Sequence, residues 1–276
     1  MMMLITGALA MPEGFTPTKV IPYKQVGDVE LKLHVFLPEN HCEGKRSPAI
    51  VFFFGGGWNG GTPGQFYPHA AYLASRGMVA IAAEYRIKSV HGTPASTCVK
   101  DGKSAIRWVR EHAAELGINP DKVAAGGGSA GGHVAAATAT AEGFNEEGEN
   151  QDTSCIPNAL ILFNPVYDNG PGGFAHDRVK EYWEDFSPLH NLSKSTPPAI
   201  VFLGTEDHLV PVATAKAFQQ RMEDLGVRSD LHLYEGQGHA FFNYKDLEYF
   251  NKTVIEMDKF LTSLDYLEGS PTIQVE

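Results

Sequence analysis

The sequence has little cysteine and no long apolar run. Its 276 residues include three cysteines, which lie far apart and form no CxxC pair: Cys42, Cys98 and Cys155. This spacing excludes a disulfide scaffold, a zinc knuckle and a dithiol redox pair. No apolar stretch approaches the roughly 20 residues that cross a bilayer. We therefore expect no membrane partner and no structural metal.

Positive charge is also scarce. Lysine and arginine number 22 against 33 aspartates and glutamates, which gives a formal net charge of −11. Nucleic acids and anionic membrane surfaces are bound by basic faces, so neither partner is expected. The apolar fraction of 43% is that of an ordinary globular protein and excludes wholesale disorder.

The amino-terminal segment is open to more than one interpretation. Residues 1–10 are apolar and end in Gly7-Ala8-Leu9-Ala10, like the end of a secretory signal, but no basic residue precedes them. We interpret residues 1–14 as a leader remnant or N-terminal extension, with a true signal as the alternative. The location therefore stays open between the cytoplasm and the periplasm or exterior. No linker composition divides residues 15–276, which we predict to form one domain.

Short apolar runs alternate with amphipathic stretches along the rest of the chain. The runs typical of strands are residues 31–37, 49–54, 78–83, 123–125, 159–163, 199–203 and 229–234. Helical spacing is found in residues 104–116, 131–141, 212–225 and 246–264. This alternation predicts an α/β fold whose mostly parallel sheet has helices on both faces.

One glycine-rich turn carries the strongest chemical signal. Gly127-Gly128-Ser129-Ala130-Gly131 fits G-x-S-x-G and joins an apolar strand to an alanine-rich helix, as a nucleophile elbow does. The alternatives are an incidental serine in a tight turn and a phosphate loop. A phosphate loop of the Walker type needs a lysine, and none lies here. We predict that Ser129 is a nucleophile.

A serine nucleophile needs a base and a carboxylate that orients the base. Asp207 follows a predicted strand, and His239 lies on a glycine-flanked loop before the last helix, in the order expected after such an elbow. Glu206 is the alternative acid, and His208 is expected at the rim of the substrate site. The sequence has no HExxH, EF-hand or GxGxxG motif, so neither a metal nor a nucleotide cofactor is predicted.

Two further stretches are expected to meet the substrate. Residues 55–57 are consecutive glycines after an apolar strand, and backbone N–H groups of such a loop stabilise an oxyanion. The long segment 165–198 is rich in aromatic residues and is predicted to line the cleft; the alternative is that these residues fill the core under a long connection. Trp58, Tyr85 and Trp183 are expected to offer flat faces to a sugar ring.

These motifs resemble the α/β-hydrolase superfamily over residues 20–264. Within it, the chain is similar to hormone-sensitive-lipase-like esterases, whose oxyanion loop reads His-Gly-Gly-Gly-Trp/Phe and whose Tyr-Arg pair matches Glu84-Tyr85-Arg86. Phe54 replaces the histidine of that loop, which puts the rigidity of the loop in question. The resemblance implies a sheet of about eight strands without a large cap. It also implies the following roles: Ser129 as nucleophile, Asp207 as acid, His239 as base, and the amides of Gly56, Gly57 and Ala130 as oxyanion donors.

The expected function is hydrolysis of short acyl esters through an acyl-enzyme, without a cofactor. The compact layout resembles bacterial carbohydrate acetyl esterases, so an acetylated xylan or xylo-oligosaccharide is the expected substrate. A generalist short-chain carboxylesterase is the main alternative. A prolyl-oligopeptidase-like peptidase and a non-catalytic binding protein of this fold are further alternatives. The oligomeric state is left open.

Overall fold

The computed structural model describes residues 14–273, and within them eight strands form one sheet. The strands are β1 Lys19–Val26, β2 Val29–Phe36, β3 Ser47–Phe53, β4 Val79–Ala83, β5 Ile118–Gly128, β6 Ala159–Phe163, β7 Ala199–Gly204 and β8 Ser229–Tyr234. Their order across the sheet is β1-β2-β4-β3-β5-β6-β7-β8. The proposed leader lies almost wholly outside the described residues.

Only the first two strands interrupt the parallel arrangement. β1 pairs with β2 and β2 with β4 in antiparallel fashion, whereas all pairs from β4 to β8 are parallel. β4 and β6 are buried along their whole length, as apolar strands covered on both faces must be. This confirms the predicted α/β-hydrolase fold with a mostly parallel sheet of about eight strands.

Helices cover both faces of the sheet. They are α1 Tyr67–Ser75, α2 Lys88–His91, α3 Ala95–Glu111, α4 Ala130–Thr140, α5 His176–Val179, α6 Trp183–Phe186, α7 Val212–Asp224 and α8 Leu247–Ser263. The apolar residues of α1 and α8 share one core, and those of α3, α4 and α7 share the other. The two cores sandwich the sheet and hold its carboxyl edge in place.

The structure corrects the predicted start of α3. The helix begins at Ala95, nine residues before the predicted start at residue 104. Its first half contains buried residues that are not apolar and so break the periodicity: the Asp101 carboxylate accepts from Arg86, and Gly102 lies against Val134. The sequence pattern also gave no sign of α1.

Two other features bear on the sequence-based expectations. All three cysteines are free. Within residues 14–273, no helix has the length and apolar character to cross a membrane.

Candidate active site

Ser129 occupies a strained turn between β5 and α4. Its backbone has φ of 54° and ψ of −120°, and its carbonyl accepts a hydrogen bond from the Val166 amide. A side chain on Gly131 would lie 2.0 Å from the Phe53 carbonyl oxygen, so only glycine allows the helix to start so close to β3. The turn therefore projects the serine at the carboxyl edge of the sheet.

The structure brings Ser129, His239 and Asp207 into one hydrogen-bonded line. His239 Nε2 lies 2.8 Å from Ser129 Oγ, and His239 Nδ1 lies 2.7 Å from Asp207 Oδ2. With Nδ1 donating to the carboxylate, Nε2 accepts from the serine hydroxyl. The alternative acid, Glu206, is exposed on the same loop and makes no such contact. The structure therefore favours Asp207 over Glu206 as the partner of His239.

The Asp207 carboxylate is held in its charged form. Its side chain is fully buried, which by itself raises the pKa, but the hydrogen bond and charge of His239 oppose this effect. The amides of Leu209 and Val210 also donate to Oδ1, at 2.8 and 3.0 Å. The net result is a pKa below the usual aspartate value, so the carboxylate stays ionised near neutral pH.

The glycine loop after β3 presents unused backbone donors. Among the residues that the structure describes, the amides of Gly56 and Gly57 have no hydrogen-bond acceptor, and neither does the Ala130 amide in the first turn of α4. Gly56 has φ of 126°, and a side chain there would collide with the Gly60 carbonyl. The glycine loop can adopt its shape only with glycine. Its two N–H groups and that of Ala130 are available to a ligand.

Phe54, which replaces the family histidine, is braced by Tyr85. The two rings stack with centroids 4.1 Å apart, and the Tyr85 hydroxyl donates to the Phe54 carbonyl. Tyr85 is 2% exposed. The expectation that it offers a face to substrate was therefore wrong, because both its ring and its hydroxyl support the glycine loop from the interior.

The expectation that Trp58 offers a flat face to a sugar ring was also wrong. Its side chain has no solvent exposure and packs edge-on against His133, Phe174 and Phe186. The indole joins the glycine loop to α4 and to the segment 165–198. It cannot present a flat face to a sugar, because the aromatic edges of three neighbouring elements surround it.

A cavity of about 310 Å³ lies beside the Asp207 loop. It is lined by Val166, Tyr167, Asp168, Gly172, Gly173, Phe174, His208, Leu209, Val210, Pro211 and Thr214. His208 lies at this cavity, and so does part of the segment 165–198. Trp183 is not in its lining: the indole is half-buried and packs against His190 and His176. Substrate binding by His208 stays a prediction, whereas the ring contacts of Trp183 favour the alternative that this residue fills the core.

Four residues near the site escaped the sequence analysis. The Arg178 guanidinium donates to the Gly57 carbonyl at 2.9 Å, and the buried Asn164 accepts from the Ala240 amide. Gln65 and Asn243 bond each other across 178 positions of sequence. None of the four belongs to a motif, and only folding brings them together.

Within residues 14–273, no cluster of three or more histidine, cysteine, aspartate or glutamate side chains is arranged to hold a metal.

The fold and these contacts together define the α/β-hydrolase class. Two family models match successive parts of the chain, BD-FAE over residues 33–164 and the dienelactone hydrolase family over residues 182–262. The apo form of Thermogutta terrifontis esterase 2 is 43% identical, with a TM-score of 0.89, and the match covers 94% of this chain and 98% of that one. The chain belongs to the esterases of the α/β-hydrolase superfamily.

Curated relatives give the same class over part of their length. Esterase LipQ of Mycobacterium tuberculosis is 30% identical over 251 residues, which are 82% of this chain and 57% of LipQ. The probable isoprenylcysteine alpha-carbonyl methylesterase ICMEL1 of Arabidopsis thaliana is 29% identical over 233 residues, 76% of this chain and 48% of that protein. The chain thus spans about half the length of these curated relatives.

Proposed function

We propose that this protein is a serine carboxylesterase for short acyl esters. The observation that carries the proposal is the continuous line from Ser129 Oγ through His239 to Asp207, next to three unused backbone amides. A nucleophile, its base, and donors for a developing negative charge are the groups that acyl transfer requires.

The proposed reaction has two halves. His239 Nε2 takes the proton of Ser129 as Oγ attacks the ester carbonyl carbon, and the amides of Gly56, Gly57 and Ala130 bind the oxyanion. His239 then gives this proton to the alcohol, which leaves an acyl-enzyme. His239 then takes a proton from water, whose oxygen attacks the acyl carbon, and the same amides bind the second oxyanion. His239 returns that proton to Ser129 Oγ as the acyl–Oγ bond breaks and the carboxylic acid product leaves. Asp207 holds the His239 tautomer and stabilises the imidazolium.

The short acyl preference rests on one related protein. Thermogutta terrifontis esterase 2 has been solved with propionate bound and with butyrate bound, and also phosphorylated by paraoxon. A similar acyl site in this chain favours acids of about two to four carbons. It also favours reaction of Ser129 with an organophosphate.

Acetylated carbohydrate is the finer specificity that the sequence suggested. Burial of Trp58 and Tyr85 removes two of the three aromatic faces on which a sugar was expected to rest. We therefore place the generalist short-chain esterase first and the carbohydrate acetyl esterase second. The second is favoured only by the compact layout.

The test is an acyl series. We expect p-nitrophenyl acetate, propionate and butyrate to be hydrolysed well and the octanoate poorly, with at least about 10³-fold loss in Ser129→Ala. Release of acetate from acetylated xylo-oligosaccharides, at a rate similar to the hydrolysis of p-nitrophenyl acetate, would favour the carbohydrate acetyl esterase. Preference for octanoate contradicts the short-chain proposal, and full activity of Ser129→Ala contradicts the nucleophile. Faster cleavage of peptide p-nitroanilides than of esters would favour the peptidase alternative.

A further inference from the structure

The Gln65 side chain bridges two loops of the site. Gln65 lies on the one-turn 3₁₀ helix Pro63–Phe66. Its Oε1 accepts a hydrogen bond from the Gly55 amide at 2.6 Å, and its Nε2 donates to Asn243 Oδ1 at 3.0 Å. The Gly55 amide needs an acceptor, which fixes the orientation of the Gln65 amide. One neutral side chain thus joins the glycine loop to the loop that follows His239.

The first contact lies against the nucleophile. A Cβ atom placed on Gly55 would be 3.3 Å from Ser129 Cβ and 3.4 Å from Gln65 Oε1. Gly55 is therefore packed between the elbow and Gln65. Gly56 and Gly57, the proposed oxyanion donors, follow Gly55 directly, so the Gly55–Gln65 bond limits how far their amides move relative to Ser129.

The second contact reaches the base through one more residue. Asn243 Nδ2 donates to the Ala240 carbonyl at 2.8 Å, and Ala240 is next to His239. Ala240 has φ of 69°, which is unfavourable for alanine, and its amide donates to Asn164 Oδ1 at 2.9 Å. The amide and the carbonyl of Ala240 are therefore both hydrogen-bonded to asparagine side chains. The loop cannot relax from the strained conformation without breaking one of these bonds.

We propose that Gln65 is a positioning residue that fixes the oxyanion loop relative to His239. The inference rests on the proposed esterase function. Acyl transfer requires the oxyanion donors and the base to meet the same carbonyl group, and these lie on separate loops. Gln65 acts through Gly55 and Asn243, and its role requires one acceptor and one donor on the same side chain.

Three variants separate this role from simple packing. Gln65→Met keeps the length of the side chain and loses both hydrogen bonds. Gln65→Glu keeps the acceptor for Gly55 and loses the donor to Asn243. The control is Gln220→Met, because Gln220 is exposed on α7 and, within residues 14–273, its side chain bonds only Asp224 of the same helix.

The measurements are kcat and KM for p-nitrophenyl butyrate, the rate of phosphorylation by paraoxon, and the melting temperature. For Gln65→Met we expect about tenfold lower kcat and slower phosphorylation, with KM within about twofold of wild type. Gln65→Glu should lie between Gln65→Met and wild type, and Gln220→Met should match wild type. Adding Asn243→Ala to Gln65→Met should cost much less than Asn243→Ala costs alone, because both disrupt one bridge.

Unchanged kcat and phosphorylation in folded Gln65→Met overturn the inference, and so does a rise in KM alone. In either case the esterase proposal stands as long as Ser129→Ala is inactive. A wild-type protein that neither hydrolyses the ester nor reacts with paraoxon overturns the proposed function, and this inference with it.

Discussion

At the scale of single residues, the site depends on which carboxylate meets the histidine. Asp207 and Glu206 are adjacent in sequence and chemically alike. Only Asp207 lies beneath His239, with its other oxygen held by two backbone amides. Burial and hydrogen bonding, not residue type, distinguish Asp207 from Glu206.

This distinction gives a paired prediction. Asp207→Asn should lower kcat/KM of the proposed esterase by about 10³-fold or more, because the amide favours the wrong tautomer of His239. Glu206→Gln should remain within about twofold of wild type, since that side chain is exposed. Steady-state kinetics of both variants on p-nitrophenyl acetate make the comparison, and a more damaging Glu206→Gln would reverse the assignment.

Buried histidines make stability depend on pH. His69 is fully buried among phenylalanine rings, and neither ring nitrogen has a hydrogen-bond partner in the described part of the chain. Burial lowers the pKa of His69 from 6.5 to about 3. Burial also lowers the pKa of His133 from 6.5 to about 3.

The sign follows from the lowered pKa. Below pH 6.5 the unfolded chain binds the protons and the folded one does not, so the contribution of each histidine is lost as the pH falls toward 3. For each of the two histidines, the unfolding free energy should fall by about 2 kcal/mol between pH 7 and pH 5. Urea unfolding of His69→Leu should therefore show a smaller loss over this range than wild type. An identical loss in both proteins would contradict the assignment.

At the scale of elements, α4 is fixed at both ends. Ser129 begins it, and the buried Lys103 ammonium of α3 donates to the carbonyls of Ala141, Glu142 and Gly143 just past its last turn. Burial lowers the pKa of Lys103. A cation at the carboxyl end of a helix satisfies its free carbonyls and complements its dipole.

Removal of this cation should destabilise the protein. Lys103→Met leaves three carbonyls without their charged donor and should cost about 2–3 kcal/mol of unfolding free energy. Lys259→Met is the matched control, because Lys259 is exposed and, in the part of the chain that the structure describes, pairs only with Glu256 on α8. Denaturant titration of both variants tests this, and equal stabilities would show that the Lys103 contact contributes little.

Two aromatic residues of the segment 165–198 have different surroundings, and a second pair of variants compares their roles. Phe174 lines the cavity beside Asp207, whereas Trp183 packs against His190. Phe174→Ala should raise KM severalfold. Trp183→Ala should lower the melting temperature and leave KM near wild type, because large aromatic truncations cost packing. A raised KM with an unchanged melting temperature for Trp183→Ala would instead support the substrate contact that the sequence suggested.

At the scale of the whole molecule, the sheet brings distant positions to one edge. Ser129, Asp207 and His239 follow β5, β7 and β8, and parallel strands place their carboxyl ends side by side. The glycine loop follows β3, next to β5 in the sheet. The chain order of these motifs therefore predicted the fold, and it also predicted that these residues lie at one edge of the sheet.

The sequence alone determined the elements whose signals are local. Short apolar or alternating runs predicted seven of the eight strands, and β6 and β8 have the predicted bounds. The elbow around Ser129 was recognisable because glycine is required at fixed positions. α1 and the first half of α3 were missed because their buried polar residues, such as Asp101 and His69, do not follow apolar periodicity.

Only the tertiary structure decided which side chains support the site. Trp58 and Tyr85 are aromatic in any context, and their burial follows from neighbours distant in sequence. The bridge from Gln65 to Asn243 spans 178 positions and has no local pattern. Local motifs can be recognised from adjacent residues. Packing and long-range hydrogen bonds arise only when the sheet and its helices bring separate loops together.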